Sequence, residues 1–386
     1  DTFLTTVAEI RSRLESVRHF IYMGDNAVPE GYLSFGDLVT DHAPVEATKR
    51  CGDDLAGIFY TGGTTGRSKG VMLSHRNLFY NVLQSLPTIE LTASDVYMHC
   101  APMFHAADAC GMLIAATVGC THVFVPAFEP AQVLKTMQGE KVTATVLIPT
   151  MINVLVNYPD LANYDLSNLK WILYGGSAMP EAVLRKTLKT FPGIICVQAY
   201  GQTEVSPIAT LLGPEYHTLS GPFAGKLKAA GKAIPGTDLA ILDESGKQVP
   251  AGEVGEVCIR GDNVMLGYWN LPEMTKETLR DGWLHTGDGG RLDEDGMLFI
   301  VDRVKDMIVS GGENVYSAET EQAIYAHPAV AECAVIGIPD DVWGEQVHAI
   351  VRLKEGKHIT KQDLIDHCKT LIAAFKCPKS VDFQQE

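Results

Sequence analysis

The segment from Tyr60 to Gly70, with the sequence Tyr-Thr-Gly-Gly-Thr-Thr-Gly-Arg-Ser-Lys-Gly, has the composition of a phosphate-binding loop. Glycines permit positive φ and a close backbone approach, hydroxyl groups donate hydrogen bonds to phosphate oxygens, and Lys69 supplies positive charge. The segment is not a Walker loop, because Ser68 precedes Lys69 and Gly70 follows it. An ordinary loop between two strands is the alternative, and the density of glycine and threonine favours phosphate binding.

Three later segments also carry side chains that suit a nucleotide. In the segment from Tyr200 to Glu204, a tyrosine can stack on a purine, a threonine can bond a phosphate, and a glutamate can hold Mg²⁺. The segment from Trp283 to Asp288 ends in a carboxylate that could accept hydrogen bonds from ribose hydroxyls. The segment from Asp302 to Asp306 is a charged joint. Taken singly, each has a plainer interpretation: a strand-to-helix turn, a turn-forming aspartate and a solvated linker.

Composition and charge limit the classes of protein to which the chain can belong. Of its 386 residues, 46% are hydrophobic and 20% are charged, which is enough for a sizeable core and excludes a mainly disordered chain. Lysine and arginine number 31 against 47 acidic residues, so the net charge is −16. This acidity argues against general binding of nucleic acid. An anionic ligand would therefore need a locally positive or metal-neutralised site.

Cysteine usage and hydropathy predict a cytoplasmic protein. The nine cysteines are scattered and form no Cys-x-x-Cys pair, so neither a disulfide framework nor a zinc site is expected. The longest apolar stretch, residues 111–125, is interrupted by polar residues and is shorter than the roughly 20 residues of a membrane span. No signal peptide is visible. The first residue is Asp1 rather than methionine, which suggests a fragment of a longer protein.

Short apolar runs that end in glycine or polar loops predict the buried strands of an α/β sheet in the first two-thirds of the chain. The runs are Leu55–Tyr60, Thr143–Ile148, Leu169–Tyr174 and Ile194–Ala199. We expect helices between them, one over His75–Leu86 with Ser74 as N-cap, and one that Pro130 caps and that extends to about Met137. Since ligands bind at the carboxyl ends of strands in such sheets, the loops are candidates for one shared pocket.

The pattern of glycine and apolar residues changes twice after the predicted sheet. Regularly spaced glycines and short alternating stretches over about residues 233–301 predict a β-rich region. Beyond it, an alternation of strands and helices, with helices starting near Ser317 and Thr360, predicts a small α+β domain. We therefore expect a large α/β domain over residues 1–303, with the β-rich region at its end, and a small mobile domain over residues 304–386.

Taken together and in this order, the motifs closely resemble those of the adenylate-forming superfamily, which includes acyl-CoA synthetases, nonribosomal adenylation domains and luciferases. The resemblance extends from about Asp54 to the end of the chain. Besides the phosphate loop, it rests on five segments: Tyr174–Pro180, Tyr200–Glu204, Gly282–Asp288, Arg303–Asp306 and Ser310–Asn314. Minor departures from the family pattern are Gly63, Ser68 and Gly289, and none removes a functional group that the chemistry needs.

The resemblance implies a two-step reaction. A carboxylate attacks the α-phosphate of ATP in the presence of Mg²⁺ to give acyl-AMP and pyrophosphate, and the thiol of coenzyme A then displaces AMP. Carried over by motif, the residues expected to take part directly in the chemistry are Lys69, His105, Thr203 and Glu204. The resemblance also assigns Glu204 and Thr64 to the metal. The remaining nucleotide and coenzyme residues are Thr61, Gly62, Gly63, Thr64, Thr65, Gly66, Gly175, Gly176, Tyr200, Gly201, Asp288, Arg303, Lys305, Gly311 and Gly312.

The resemblance assigns these nucleotide and coenzyme residues to particular parts of the ligands. The threonines and glycines from Thr61 to Gly66 would hold the β- and γ-phosphates. Gly175, Gly176 and Tyr200 would frame the adenine, and Asp288 and Arg303 would hold the ribose. Lys305 lies where the family has its hinge, and Gly311 and Gly312 fall in a loop that lines the path of the pantetheine arm. The family's C-terminal catalytic lysine would follow Glu386, so we expect this chain to lack it.

The residues after Pro102 indicate which class of carboxylic acid the site would bind. Amino-acid-activating relatives commonly carry an aspartate after the phenylalanine of this segment, whereas this sequence has His105 followed by Ala106. A buried ammonium group without a carboxylate partner is costly, so we expect a neutral-tailed fatty or aryl acid. Ser177 and Ala178 are further candidates for binding it. A core histidine is the alternative for His105.

Three functions remain open at this point. The chain is expected to be an acid–CoA ligase. It could instead load a carrier protein or act as luciferases do, or it could be a nucleotide-binding protein that does not catalyse. A homodimer is one oligomeric state that the sequence leaves open.

Overall fold

The computed structural model describes residues 3–62, 68–303, 306–311, 313–340 and 343–384, in two compact units. The first unit, residues 1–50, contains two short helices and two short parallel strands: α1 (Leu4–Ile10), β1 (Ile21–Tyr22), β2 (Leu33–Ser34) and α2 (Phe35–Asp41). The side chain of Ser34 accepts a hydrogen bond from the backbone N–H of Asp37, so it caps α2.

The second unit begins at Cys51, and its first part alternates strands with helices. The strands are β3 (Leu55–Thr61), β4 (Lys69–Ser74), β5 (Val96–His99), β6 (Thr121–Phe124), β7 (Ala144–Leu147), β8 (Trp171–Gly175), β9 (Ile195–Tyr200) and β10 (Thr210–Leu212). The helices are α3 (His75–Ser85), α4 (Ala106–Val118), α5 (Pro130–Gly139), α6 (Pro149–Val156) and α7 (Glu181–Thr190).

The predicted α/β fold is confirmed by a central seven-stranded sheet. Its order is β11-β10-β9-β8-β7-β5-β6, where β11 is Lys232–Ala233. The strands from β9 to β6 in that order are parallel, and β10 and β11 are antiparallel to their neighbours. Apolar clusters cover both faces of this sheet, as parallel strands require.

The first predicted strand does not belong to this sheet. β3 pairs with β4 as an antiparallel hairpin, and β14 (Gly267–Tyr268) joins β4 to form a separate three-stranded sheet. Its side chains are also more exposed than a buried parallel strand would allow. The expectation that Leu55–Tyr60 is buried in the α/β sheet was therefore wrong, because a short apolar run does not show which partner it pairs with.

The region after β11 is rich in antiparallel strands, as predicted. It contains β12 (Thr237–Leu242), β13 (Gly255–Gly261), β14, α8 (Pro272–Thr278), β15 (Leu279–Arg280), β16 (Trp283–Leu292) and β17 (Leu298–Arg303). Four of the strands form a sheet in the order β12-β13-β16-β15, and β17 also pairs with β16.

The last block has a sheet and an apolar core of its own. Its elements are β18 (Ile308–Ser310), β19 (Glu313–Val315), α9 (Ser317–Tyr325), β20 (Val330–Asp340), β21 (Gly344–Leu353), α10 (Lys361–Lys369) and β22 (Ser380–Gln384). The sheet has the order β19-β18-β21-β20, with β22 parallel to β21. The division into domains at residues 303 and 304 stays a prediction, and the joint at Lys305 lies outside the described residues.

Helix starts follow local side-chain chemistry. Ser74 is the N-cap of α3, as expected, and forms a reciprocal capping box with Asn77; Thr360 and Asp363 form another capping box at the start of α10. The cap of α5 differs from the prediction, because Glu129 accepts the hydrogen bonds at that end and Pro130 is the first helical residue. Among the helices of the described residues, none combines the length and apolar character needed to cross a membrane.

Candidate active site

A cavity of about 670 Å³ opens where the three sheets of residues 51–303 meet. The three-stranded sheet contributes residues of β3, β4 and β14. The seven-stranded sheet contributes the carboxyl ends of β7, β8 and β9, and the five-stranded sheet contributes residues of β13, β16 and β17. The loops that the sequence predicts to share a pocket are therefore brought together, although one of them is carried by a different sheet.

The two ends of the phosphate loop are held by a hairpin. Thr61 and Lys69 are cross-strand partners in β3 and β4, and both line the cavity together with Gly62. The Nζ atom of Lys69 lies 5.1 Å from the ring centroid of Tyr268, a cation–π contact that fixes the direction of this positive charge. The predicted phosphate and metal residues Gly63, Thr64, Thr65 and Gly66 lie outside the described residues.

Glu204 is a buried carboxylate at the wall of the cavity. It lies with Thr203 in a single turn of 3₁₀ helix after β9, and its residue is only 6% exposed. Its Oε1 atom accepts a hydrogen bond from the hydroxyl of Tyr268 at 2.8 Å. Burial and the neighbouring Glu204 carboxylate raise the pKa of Tyr268, so its hydroxyl remains a donor. The sequence did not predict Tyr268, which is 64 residues from Glu204 along the chain.

Tyr200 and Asp288 form a pair that connects two sheets. The hydroxyl of Tyr200, at the end of β9, donates to Oδ2 of Asp288 in β16 at 2.8 Å. Arg303 is the cross-strand partner of Asp288 in β17, and its Nε atom lies 3.8 Å from Oδ1. Burial raises the pKa of the Asp288 carboxyl, and the Tyr200 hydrogen bond and the Arg303 charge oppose that rise. All three predicted nucleotide residues line the cavity.

Two glycine turns keep the backbone close to the cavity. A Cβ atom at Gly175 would lie 2.3 Å from the carbonyl oxygen of Ala199 on the neighbouring strand, and one at Gly201 would lie 2.0 Å from the carbonyl oxygen of Pro207. Gly176 has a φ of +80°, which glycine adopts without strain. Gly175, Gly176 and Gly201 all line the cavity. Ser177 and Ala178, predicted to contact the acid, are exposed and are not among the lining residues.

A second part of the cavity extends between the sheet and α4. His105, at the N-cap position of α4, and Ala106 line it, and His105 is exposed rather than packed in the core, which excludes the core alternative. Four further lining residues are buried and uncharged: Tyr97 of β5 and Cys110, Gly111 and Ile114 of α4; the uncharged Val146 of β7 is half-buried. These residues were not predicted from the sequence. The helical spacing of Ala106, Cys110 and Ile114 was the signal that could have found them.

The His285 segment is held by Glu256. One carboxylate oxygen of Glu256 accepts from the backbone N–H of Gly287 at 3.0 Å, and the other lies 2.7 Å from Nδ1 of His285. Cys258 joins them, so that potential ligand atoms of the three side chains lie within 4.8 Å of one another. Burial raises the pKa of the Cys258 thiol to about 12, and the Arg280 guanidinium lies 3.4 Å from Glu256. Both features disfavour a cation, so we interpret the cluster as support for the turn that carries Asp288.

The predicted coenzyme loop is found in the last block. The backbone N–H of Gly311 donates to the carbonyl of Trp343 at 2.8 Å, and a Cβ atom at this position would lie 2.6 Å from the Trp343 ring. Gly311 is exposed and is not among the residues that line the cavity. Gly312 lies outside the described residues.

Comparisons with known proteins give a consistent result. The family described as AMP-binding enzyme matches residues 2–269, and the AMP-binding enzyme C-terminal domain matches residues 319–386. A feruloyl-CoA synthase of an Amycolatopsis species is 40% identical over 358 residues, which cover 92% of this chain and 70% of that protein. A medium/long-chain-fatty-acid–CoA ligase of Mycobacterium tuberculosis is 41% identical over 313 residues, or 81% of this chain and 53% of its own.

Solved structures agree with this match. The structure of an anthranilate CoA ligase in complex with anthranoyl-AMP has a TM-score of 0.91 and 29% identity, with 100% of this chain and 73% of that chain covered. The ATP-bound structure of MatB from Rhodopseudomonas palustris has a TM-score of 0.83 and 34% identity, with 93% and 70% covered.

Proposed function

Because the chain belongs to the family of AMP-binding enzymes, we propose that the cavity binds ATP and a carboxylic acid side by side and joins the acid to coenzyme A. The family match and the relatives confirm the activity class predicted from the sequence, an ATP-dependent acyl-CoA synthetase that releases AMP. The observation that carries the proposal is that Lys69, Glu204 and Asp288, predicted from separate motifs, line a single cavity.

In the first step an oxygen of the acid forms a bond to the α-phosphorus of ATP, and the bond from that phosphorus to the bridging oxygen of pyrophosphate breaks. We assign the triphosphate to the side of Thr61, Gly62 and Lys69, whose hydroxyl and amide groups donate hydrogen bonds to it and whose ammonium group offsets part of its charge. Thr203 faces the α-phosphate. The reaction depends on positioning and electrostatics more than on proton transfer, which suits a site built from hydroxyl groups and one ammonium group.

The position of the nucleoside is assigned from the residues that line the other walls of the cavity. Gly175, Gly176 and Tyr200 frame the adenine, because the glycines let the base approach the backbone and the tyrosine ring offers a stacking surface. Asp288 and Arg303 hold the ribose hydroxyls. The hydrogen bond from Tyr200 occupies one oxygen of Asp288, and the second oxygen lies 3.8 Å from Nε of Arg303.

The residues present also fit a magnesium ion. Glu204 presents a buried carboxylate to the cavity, and its one hydrogen bond among the described residues, from Tyr268, occupies only Oε1. Carboxylate oxygen is the ligand that Mg²⁺ prefers, so we assign the ion to Glu204 and, from the sequence, to Thr64. When bound, Mg²⁺ neutralises phosphate charge in a chain whose net charge is −16.

In the second step the sulfur of coenzyme A bonds to the acyl carbon, and the bond from that carbon to the AMP oxygen breaks. We place the pantetheine arm along the loop of Gly311 and Gly312. Loading of a carrier protein is a second candidate, because a fatty acid–[acyl-carrier-protein] ligase of Streptomyces coeruleorubidus is 36% identical over 370 residues. Among the described residues, the buried lining around α4 carries no charged side chain, which favours a neutral fatty or aryl tail over an ammonium group.

The test uses the full-length protein and a panel of fatty and aryl acids with ATP and Mg²⁺, and pyrophosphate and AMP release are measured with and without coenzyme A. We expect AMP release to depend on coenzyme A. Glu204→Gln should lower the rate of adenylate formation by roughly 10- to 100-fold, with partial recovery at high Mg²⁺. Glu140→Gln, at the exposed end of α5, is the matched control and should change neither quantity. Pyrophosphate release that is absent with every acid, or an unchanged Mg²⁺ dependence in Glu204→Gln, contradicts the proposal.

A further inference from the structure

The hydroxyl of Tyr97 is buried without a hydrogen-bond partner. Tyr97 lies in β5, between β7 and the edge strand β6 of the seven-stranded sheet, and its side chain is fully buried. Among the described residues, no donor or acceptor lies within hydrogen-bonding distance of its Oη atom. Buried tyrosine hydroxyls are normally paired, because an unpaired polar atom in the core costs folding free energy. An unpaired hydroxyl at this depth therefore requires a partner that the protein itself does not supply.

The position of this hydroxyl shows where such a partner would lie. Tyr97 lines the cavity beside Gly111 of α4, and a Cβ atom at Gly111 would lie 2.2 Å from Oη. The absent side chain at Gly111 is therefore what leaves room for the hydroxyl between the strand and the helix. Both residues line the cavity together with Ala106, Cys110 and Ile114 of α4.

The surroundings make this hydroxyl a donor. Burial raises the pKa of Tyr97 well above its ordinary value, and the nearby Asp108 carboxylate adds to the rise, so the group stays a neutral phenol. Asp108 is not the missing partner, because it forms no hydrogen bond with the Tyr97 hydroxyl; its two oxygens lie 3.1 and 3.2 Å from Nδ1 of His99 instead. The other ring nitrogen of His99 is paired with His122 at 2.9 Å.

We propose that the Tyr97 hydroxyl donates a hydrogen bond to an oxygen atom on the tail of the acid. The chain would then prefer compact acids with an oxygenated tail, such as hydroxylated aryl acids, over alkyl or unsubstituted aryl acids of the same size. This inference rests on the proposed function, since it assigns the α4 side of the cavity to the acyl group. The selectivity has a physical basis, because an analogue without the oxygen leaves the buried donor unpaired.

The test uses binding, measured by titration calorimetry, of non-reactive sulfamoyl-linked acyl-adenosines whose acyl groups are cinnamoyl, 3-hydroxycinnamoyl, 4-hydroxycinnamoyl and octanoyl. We expect one of the hydroxylated ligands to bind at least tenfold more tightly than the cinnamoyl ligand. Tyr97→Phe, which removes only the oxygen, should abolish that preference and leave cinnamoyl binding and thermal stability undiminished. Tyr80→Phe, on the surface of α3, is the matched control and should keep the preference.

Each outcome decides between the two claims. Equal affinities for hydroxylated and plain ligands, tightest binding of the octanoyl ligand, or a preference that survives in Tyr97→Phe overturns the role of Tyr97 while the nucleotide site stands. Failure of all four ligands and of AMP to bind overturns the proposed function and this inference with it. Should Tyr97→Phe fail to fold, the wild type is tested instead with the 4-methylcinnamoyl ligand, which has a methyl group in place of the hydroxyl. Binding equal to that of the 4-hydroxycinnamoyl ligand then refutes the hydrogen bond.

Discussion

Acidification should destabilise the protein through His217, a histidine that the fold holds in its neutral form. Its Nδ1 atom donates to the carbonyl of Gly213 at 2.9 Å, so Nε2 is the acceptor for the hydroxyl of Tyr174, also at 2.9 Å. Burial lowers the pKa of His217 from 6.5 to about 4, and the Gly213 carbonyl opposes that effect only in part. A proton on Nε2 would place an N–H against the Tyr174 hydroxyl and put a charge in the core.

The sign and size of the effect follow from proton linkage. Between pH 6.5 and about 4 the unfolded chain binds a proton at His217 and the folded chain does not, so the free energy of unfolding falls as the pH falls. At 1.36 kcal/mol for each pH unit between the two values, the full loss is about 3 kcal/mol. About 2 kcal/mol of this is already lost at pH 5 relative to pH 7.

The assay is urea unfolding of the wild type and of His217→Gln at pH 7 and pH 5. Glutamine is neutral at both values and can accept the Tyr174 hydrogen bond. The drop in unfolding free energy should therefore be smaller by about 2 kcal/mol in the variant. All other titratable groups are the same in the two proteins, so the comparison isolates the contribution of His217. The exposed His358→Gln serves as the matched control and should behave like the wild type. Equal drops in the wild type and His217→Gln would refute the assigned cause.

Two further substitutions test the turns that form the site. Gly201→Ala should lower the free energy of unfolding by at least about 1–3 kcal/mol, because the new Cβ atom would meet the Pro207 carbonyl oxygen, whereas Gly139→Ala, with open space around it, should change it by less than about 0.5 kcal/mol. Similar urea midpoints for these two variants would count against the close contact. Asp288→Asn should weaken AMP binding in calorimetry without lowering thermal stability at pH 7, because burial raises the pKa of this carboxyl and so makes its ionised form unfavourable in the fold. That stability advantage should shrink as the pH falls towards the raised pKa, and a lower melting temperature for the Asn variant at pH 7 would contradict the account.

The sequence predicts the site more completely than it predicts the sheets. Lys69, Glu204 and Asp288 could be placed together because each belongs to a motif whose order along the chain is informative. The partner of Glu204 could not, since Tyr268 reaches it only through the pairing of β14 with β4. Strand pairing depends on contacts between distant residues, which apolar runs do not encode. For the same reason the sheet that contains β3 was assigned wrongly.

The acid side of the cavity was the least predictable part. His105 was found because it follows a motif, but Tyr97 and Gly111 look like any other strand and helix residues in a linear sequence. Their significance depends on a close approach of two elements that only the packing of α4 on β5 creates. An unpaired hydroxyl likewise has no signature in sequence, because it is defined by which atoms are missing around it.

Because three sheets meet at one cavity, a ligand bound there should affect local unfolding in all three. The hairpin of Thr61 and Lys69, the carboxyl ends of the parallel strands and the β16–β17 pair touch the same ligand space but belong to three different sheets, which side-chain hydrogen bonds such as Tyr200–Asp288 join. A nucleotide that fills this space bridges the three and, at a hundred times its dissociation constant, adds about 2.7 kcal/mol to the folded state. Amide protons at the cavity-lining ends of all three sheets should then slow their exchange together when the nucleotide is bound.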